Sequence, residues 1–317
     1  MYREAPGTPE GTIQAARPPR GRIIKVVPVL TANGRPIQVV YAFLRLLRSC
    51  IEQFEPDAAL VCWDSGRSAY RKRIYPNYKS NRTHDKDKEH EEEYKSFLTQ
   101  ANTLKTVLSH LNVKQAEYPD SEADDLIGVA CSTLEGKKII VSSDMDMLQL
   151  VSQDTQVWSP IKGELYRIET FKKKMGLSPE AYLEMRALIG DTTDNIPGVA
   201  KGFGEATARE LLDKYGGLDK LFSPIVEKRV SNKGNRYALL YSEGAKETAF
   251  RNLILMDLRV AAVHCGSEVV KMVEQRAKDK KKVDRAKVKQ YFQEQKFVSL
   301  LSDFGRWITA FESLDSE

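Results

Sequence analysis

Several kinds of segment are missing from these 317 residues. No apolar run approaches the roughly 20 residues a membrane-spanning helix needs, and the opening "MYREAPGTPEGTIQAARPPRGR" has no apolar core of a secretory signal. A cytoplasmic protein of a bacterial cell or a phage-infected host is expected. Cysteine and histidine are scarce, four of each. Cys50, Cys62, Cys131 and Cys265 are too scattered for a metal knuckle or redox pair and read as buried free thiols, and His84, His90, His110 and His264 are equally isolated, which argues against zinc. No Gly-Lys-Ser/Thr follows the glycine-rich stretch near residue 200, which excludes a nucleotide P-loop there.

What is present is a charge distribution more telling than the net +5. "RSAYRKRIYPNYKSNR", residues 67–82, holds six basic residues and no acid, with Tyr70, Tyr75 and Tyr78 between them. Cations beside aromatics suit phosphate neutralisation and base stacking. The acidic "THDKDKEHEEEY" follows at once, and a second basic run at 271–289 reads by itself as a solvated helix face.

Periodicity predicts alternating strands and helices at the front: "DAALVCWD", "VKQAEYP", "KKIIVSSD", "TQVWSP" and "GELYRIE" as strands, and "PIQVVYAFLRLLRSCIEQF", "YKSFLTQANTLKTVLSHLN" and "SEADDLIGVACSTLEG" as helices, the last with Ser121 as its N-cap. The fold class is therefore α/β, a mostly parallel central sheet covered by helices on both faces, followed by a helical module from about residue 176. The expected divisions are an α/β domain over 1–175, a helical module over 176–262 and a helical extension over 263–317.

The chemistry lies in carboxylates at unusual places. Asp64 and Asp144 each end a predicted strand, at the sheet edge where ligands bind in open parallel sheets. Glu122 and Asp125 are three apart at a helix start, and Asp191 and Asp194 in "GDTTDN" repeat that spacing. One such pair is an ordinary helix-cap feature. Several pairs at one edge would repel unless protonated or bridged by cations, and oxygen donors without His or Cys favour Mg²⁺ or Mn²⁺. Two such ions are the usual apparatus of phosphodiester hydrolysis. "NIPGVAKGFGEATARELL" sets Gly198, Gly202 and Gly204 in a turn before a helix, where backbone N–H groups can face a phosphate.

Together "DSGRSAYRKRIYPNYKSNR", "SEADDLIG", "SSDMDMLQLV" and "GDTTDNIPGVAKGFGEATA" resemble the 5′-nuclease family of bacteriophage flap endonucleases and the 5′-3′ exonuclease domain of bacterial DNA polymerase I, over about residues 35–255. The resemblance implies a PIN-like nuclease domain with a helix-hairpin-helix module, and metal-site roles for Asp64, Glu122, Asp124, Asp125, Asp144, Asp146, Asp191 and Asp194. It implies that Lys79 and Arg82 act at the scissile phosphate, and that DNA is bound by Arg71, Arg73, Gly198, Lys201, Gly202 and Gly204, with Tyr78 stacking on a terminal base. A helical arch near 66–98, two or more Mg²⁺ or Mn²⁺ ions, K⁺ at the hairpin, and a monomer acting on 5′ flaps, branched or 5′-ended duplex and RNA primers are also implied.

Two features depart from the family pattern. The apolar first strand ending in an Asp-Gly-Ser/Thr-Asn motif has no counterpart before "TANGRPIQVVYAFLRLL", and "GVAKGFG" is one residue longer than the common hairpin. The expected function is a structure-specific 5′ nuclease. The alternative is a non-catalytic or impaired branched-DNA-binding protein, on account of the unmatched N-terminal acid.

Overall fold

Apolar periodicity and punctuation recover most elements of the chain. The computed structural model describes residues 31–32, 35–82, 88–230, 237–279 and 281–314. The described residues fall into two compact units, those within 31–59, 88–114 and 281–314 in one and those within 60–82 and 115–279 in the other.

The first unit is helical. Gln38–Phe54 buries Val40, Leu44 and Ile51, and packs on Lys88–His110 and Phe304–Glu312. Aromatic side chains fill this interior: Phe292 meets Trp307 and Phe297 edge-on, each buried. The basic run at 271–289 is not one helix. It breaks into Ser267–Lys278, which belongs to the second unit, and Arg285–Glu294 in the first, started by Asp284, which accepts from the Lys287 N–H. The arch expected near 66–98 includes residues 83–87, which lie outside the described residues.

The second unit holds the α/β part and the helical module. Leu60–Cys62 lies at the front of it, and Trp63 N–H donates to Ala116 O at 2.9 Å. Lys138–Val141 pairs in parallel with Thr155–Ser159, which continues as an antiparallel hairpin into Glu164–Tyr166. All five predicted strands of the front half exist, as short pieces in separate small sheets rather than one continuous sheet among the described residues. A large core runs from Ile140 and Val157 through Phe171, Tyr182 and Leu188 to Leu211, Leu221 and Leu240. It joins the strands to Pro179–Ile189, Glu205–Tyr215 and Ala245–Met256 as one apolar body.

Behind the helix Ala123–Thr133, a second cluster holds Leu126, Val129 and Val273, with Cys62 and Cys265 packed against it. The four cysteines are free thiols. Burial, then the neighbouring Cys131 and Asp124, push the Cys62 thiol up to about 12. None of the described helices is long and apolar enough to cross a membrane.

Buried amides tie the helical module to the strands. Asn252, fully buried, donates to Ala187 O and Pro197 O, and Gln149 both donates to Met256 O and accepts from Leu258 N–H. Such fully paired polar groups specify one arrangement of the elements that carry them. Gly190 and Gly198 are needed where the chain doubles back, since a Cβ on either would stand 2.4–2.6 Å from backbone atoms of the opposing segment.

Candidate metal centre and nucleic-acid interface

The site begins with ends of regular structure. Asp64 follows the strand Leu60–Cys62, and its Oδ1 accepts from Ala123 N–H at 2.9 Å, capping the helix Ala123–Thr133 from a distant segment. Ser121, expected as that cap, is not one. The N-cap residue is Glu122, with no side-chain cap bond, because tertiary structure brings a carboxylate to the orphan N–H instead. Asp144 follows Lys138–Val141 and starts the short 3₁₀ turn Met145–Leu150 by accepting from Asp146 N–H at 2.8 Å. Asp191 organises the turn before Ile196, accepting from Thr193 N–H and hydroxyl at 2.7 and 2.6 Å.

These ends converge on one cavity of about 890 Å³. Of the eight acids singled out in the sequence, Asp64, Glu122, Asp124, Asp144, Asp146, Asp191 and Asp194 line it, and Asp125 does not. Lys79, Arg82 and Gly204 also line it. With Glu205, eight carboxylates face four cationic side chains, Arg67, Lys79, Arg82 and Arg186, a formal excess of four negative charges.

Cationic side chains hold most of the acids in place. Lys79 Nζ is 2.6 Å from Glu122 and 3.7 Å from Asp194, and Arg82 is 2.5 Å from Asp194. Lys79 has φ of +53°, a left-handed conformation uncommon for a non-glycine residue, and its N–H donates to Asp194 O at 2.8 Å. Burial opposes ionisation of Glu122, but Lys79 and Arg71 outweigh it and hold its pKa below the ordinary carboxylate value. Asp194 goes the other way, since burial raises its pKa in spite of Lys79 and Arg82.

Arg186, which sequence reasoning missed, stands 2.8 Å from Asp146 and 2.7 Å from Asp191. Nothing in "LEMRALIG" separates it from an ordinary helix-surface arginine. Among the described residues Asp124 takes part in no ion pair. Burial, then the Asp144 and Asp64 carboxylates, push it up to about 7. Asp146 rises to about 6 through burial, with Arg186 opposing and Asp144 and Asp191 adding to the rise.

Three expected roles need correction. Asp125 is 5% exposed and turned to Arg71 at 2.7 Å, away from the cavity. Arg71, expected to contact DNA, is equally buried, because its Nη1 serves Asp125 and its Nε donates to Leu255 O at 2.7 Å. Tyr78, expected as an exposed stacking platform, is 3% exposed among Leu183, Ile196 and Leu255, with its hydroxyl donating to Glu122 at 2.9 Å and Asp194 at 3.2 Å. In each case a partner distant in sequence draws the side chain inward. Arg73, Lys201 and Gly202 are exposed, and Gly198 packs against Ile189 O.

The donor set is hard oxygen throughout, and burial together with neighbouring carboxylates raises Asp124 to about 7 and Asp146 to about 6, the direction expected of acids crowded without a bridging cation, which fits binding of hard divalent cations. Among the described residues no three His, Cys, Asp or Glu side chains are gathered closely enough to hold a metal as they stand. Basic side chains occupy several of these carboxylates instead.

Two family descriptions match consecutive parts of the chain: 5′-3′ exonuclease, N-terminal resolvase-like domain, over residues 23–176, and 5′-3′ exonuclease, C-terminal SAM fold, over residues 177–278. The chain belongs to the 5′-3′ exonuclease family. Relatives within this family include a 5′-3′ exonuclease of Aquifex aeolicus, 34% identical over 197 residues that make up 61% of this chain and 65% of that protein. DNA polymerase I of Lactococcus lactis subsp. lactis is 32% identical over 208 residues, 63% of this chain but 23% of the polymerase. The match thus spans less than two thirds of either relative. Among solved structures, a bacteriophage T5 flap endonuclease in complex with DNA and metal ions superposes with a TM-score of 0.64 at 20% identity, covering 76% of this chain and 91% of that one. A T5 5′-exonuclease with bound divalent zinc gives 0.65 over 75% and 89%, also at 20% identity. These likenesses establish the fold, a resolvase-like α/β part with a SAM-like helical part.

Proposed function

We propose that this 5′-3′ exonuclease family member is a divalent-metal-dependent, structure-specific 5′ nuclease that hydrolyses phosphodiester bonds in branched or 5′-ended DNA. The observation that carries this reading is the convergence of seven carboxylates from four separate motifs on one cavity beside Lys79 and Arg82. The T5 relatives bound to DNA and to divalent ions support the substrate class and the need for metal.

Asp64, Glu122, Asp124, Asp144, Asp146, Asp191 and Asp194 would hold Mg²⁺ or Mn²⁺, two or more ions in all. Bound there, such ions would polarise a phosphodiester and lower the pKa of water. The protein's own part is orientation and charge. Asp64 and Asp144 are fixed by the backbone N–H groups of Ala123 and Asp146, so neither needs to reorganise before a substrate arrives. Lys79 and Arg82 form the cationic wall of the cavity, where a scissile phosphate would meet donors already aimed by the Asp194 turn. Exposed Lys201 and Gly202, in the turn before Glu205–Tyr215, would grip duplex phosphates, with K⁺ at the same turn, and Arg73 would add a further phosphate contact. RNA primers are a second substrate on the same chemistry, and a monomer suffices.

The test is cleavage of a 5′-labelled flap with Mg²⁺ or Mn²⁺ and with chelator. Metal-dependent release of the 5′ arm is expected. Flap binding without cutting in either metal would favour the second reading, a branched-DNA-binding protein with an impaired centre. One observation favours that alternative: Arg186 is seated between Asp146 and Asp191.

A further inference from the structure

The two sides of the cavity differ in how their charge is balanced. Asp64, Asp124 and Asp144 take part in no ion pair among the described residues, whereas Asp146 and Asp191 share one guanidinium. Both contacts of Arg186 are made by the same nitrogen, Nη2, at 2.8 and 2.7 Å. Its Nε is buried without a hydrogen-bond partner. A structural arginine normally engages through more than one nitrogen, and others in this chain do: Arg209, Arg259 and Arg285 each put Nε and Nη2 on one carboxylate, and Arg71 uses Nε and Nη1 on separate buried acceptors. Arg186 instead places one point of positive charge midway between two carboxylates from different segments. That is how a bridging cation would satisfy them, and it leaves a buried donor unused.

We propose that Arg186 is a built-in counter-ion that competes with a divalent cation for Asp146 and Asp191, so that this side of the centre binds metal more weakly than the side formed by Asp64, Asp124 and Asp144. The inference rests on the metal-dependent reading above and adds to it an order of loading. With Arg186 seated, Asp146 and Asp191 are bridged and half compensated without metal, one positive charge between two carboxylates. Filling that side requires the guanidinium to leave, and its position in the cavity wall, 23% exposed, opens it to the cavity.

The experiment is Mn²⁺ binding to the full chain, followed by electron paramagnetic resonance of the free ion, so that it does not depend on cleavage. Wild type should show one tighter and one weaker class of site. Arg186→Gln should tighten the weaker class by about tenfold while leaving the tighter one within about twofold. Arg186→Lys, which keeps the charge but not the planar fork, should fall between them, and it serves as the readout if the glutamine variant does not fold. A weaker class that stays the same or loosens in Arg186→Gln, or an Arg186→Lys variant indistinguishable from wild type when the glutamine variant fails to fold, would overturn the inference alone. Absence of Mn²⁺ binding by all three proteins would overturn it together with the metal-dependent reading.

Discussion

Arg71 and Arg186 both hold carboxylates at 2.7–2.8 Å, yet the side chains of Arg71 and Asp125 are 6% and 8% exposed while those of Arg186 and Asp146 are 23% and 30% exposed. Removing one partner of a buried pair strands the other charge in a medium that cannot solvate it, whereas a pair at a cavity wall can exchange its partner for water or an ion. Arg71 also donates to Leu255 O, just before the carbonyl and N–H that Gln149 clasps at Met256 and Leu258. One region therefore spends its arginine on assembly. The other keeps its charges where something can displace them.

The comparison would be broken most clearly by substitution in the cavity. Asp144→Asn with Asp146→Asn should lower cleavage by about 10⁴-fold, about 5.5 kcal/mol in the barrier, while flap binding in Ca²⁺ stays within a few-fold. Binding lost in proportion to cutting would show that the cavity acids hold the scaffold too.

Arg71→Ala should lower unfolding free energy by about 3–5 kcal/mol in urea titration, because it leaves Asp125 and Glu122 buried without it. A loss under about 1 kcal/mol would erase the distinction between the two arginines.

Within the cavity, on the proposed reading, Lys79→Ala should slow the single-turnover rate by about 100-fold with little change in flap affinity, since its cation would act where charge develops. Lys201→Ala, exposed in the turn before Glu205–Tyr215, should chiefly weaken binding and flatten its salt dependence. Equal behaviour of the two variants would remove the division between chemistry and grip.

The smallest effect is a pH dependence of the metal-free protein. Asp124 at about 7 and Asp146 at about 6 stand above their ordinary 3.8, so each binds its proton more tightly when folded. Their contribution to stability is complete below about pH 4 and is lost as pH rises through 6 and 7. Glu122 and Asp191 are shifted downward, so their contribution is lost only on acidification below the ordinary carboxylate range. The melting temperature without metal should fall by about 2–4 °C between pH 5 and 8, about 1 kcal/mol. Asp124→Asn should flatten the upper part of that fall, and thermal melts in chelator that rise with pH would refute the assignment.

How the site could be read from sequence follows from the same division. Asp64 and Asp144 are recognisable because each closes a short apolar run of strand character, and the residues after such a run emerge at a sheet edge; the runs themselves are only partly buried, with Ile139 and Val141 exposed. Asp125 departs from its expected role because spacing puts it on a helix face but does not say which neighbour that face meets. Tyr78 and Arg71 depart from expectation for the same reason: a tyrosine among basic residues suggests exposure, whereas Leu183, Ile196 and Leu255, more than a hundred residues away, help to bury it. The cap of Ala123–Thr133 came from Asp64, 59 residues earlier, where local pattern pointed to Ser121.

Sequence by itself determined the order of strands and helices, the family, and which carboxylates could gather, since these depend on local periodicity and on the residue types that end each element. Tertiary structure alone decided how their charges are balanced. Whether an acid meets an arginine, another acid or open space depends on side chains brought together from distant segments, and Coulomb interactions act on that distance with no regard to separation along the chain.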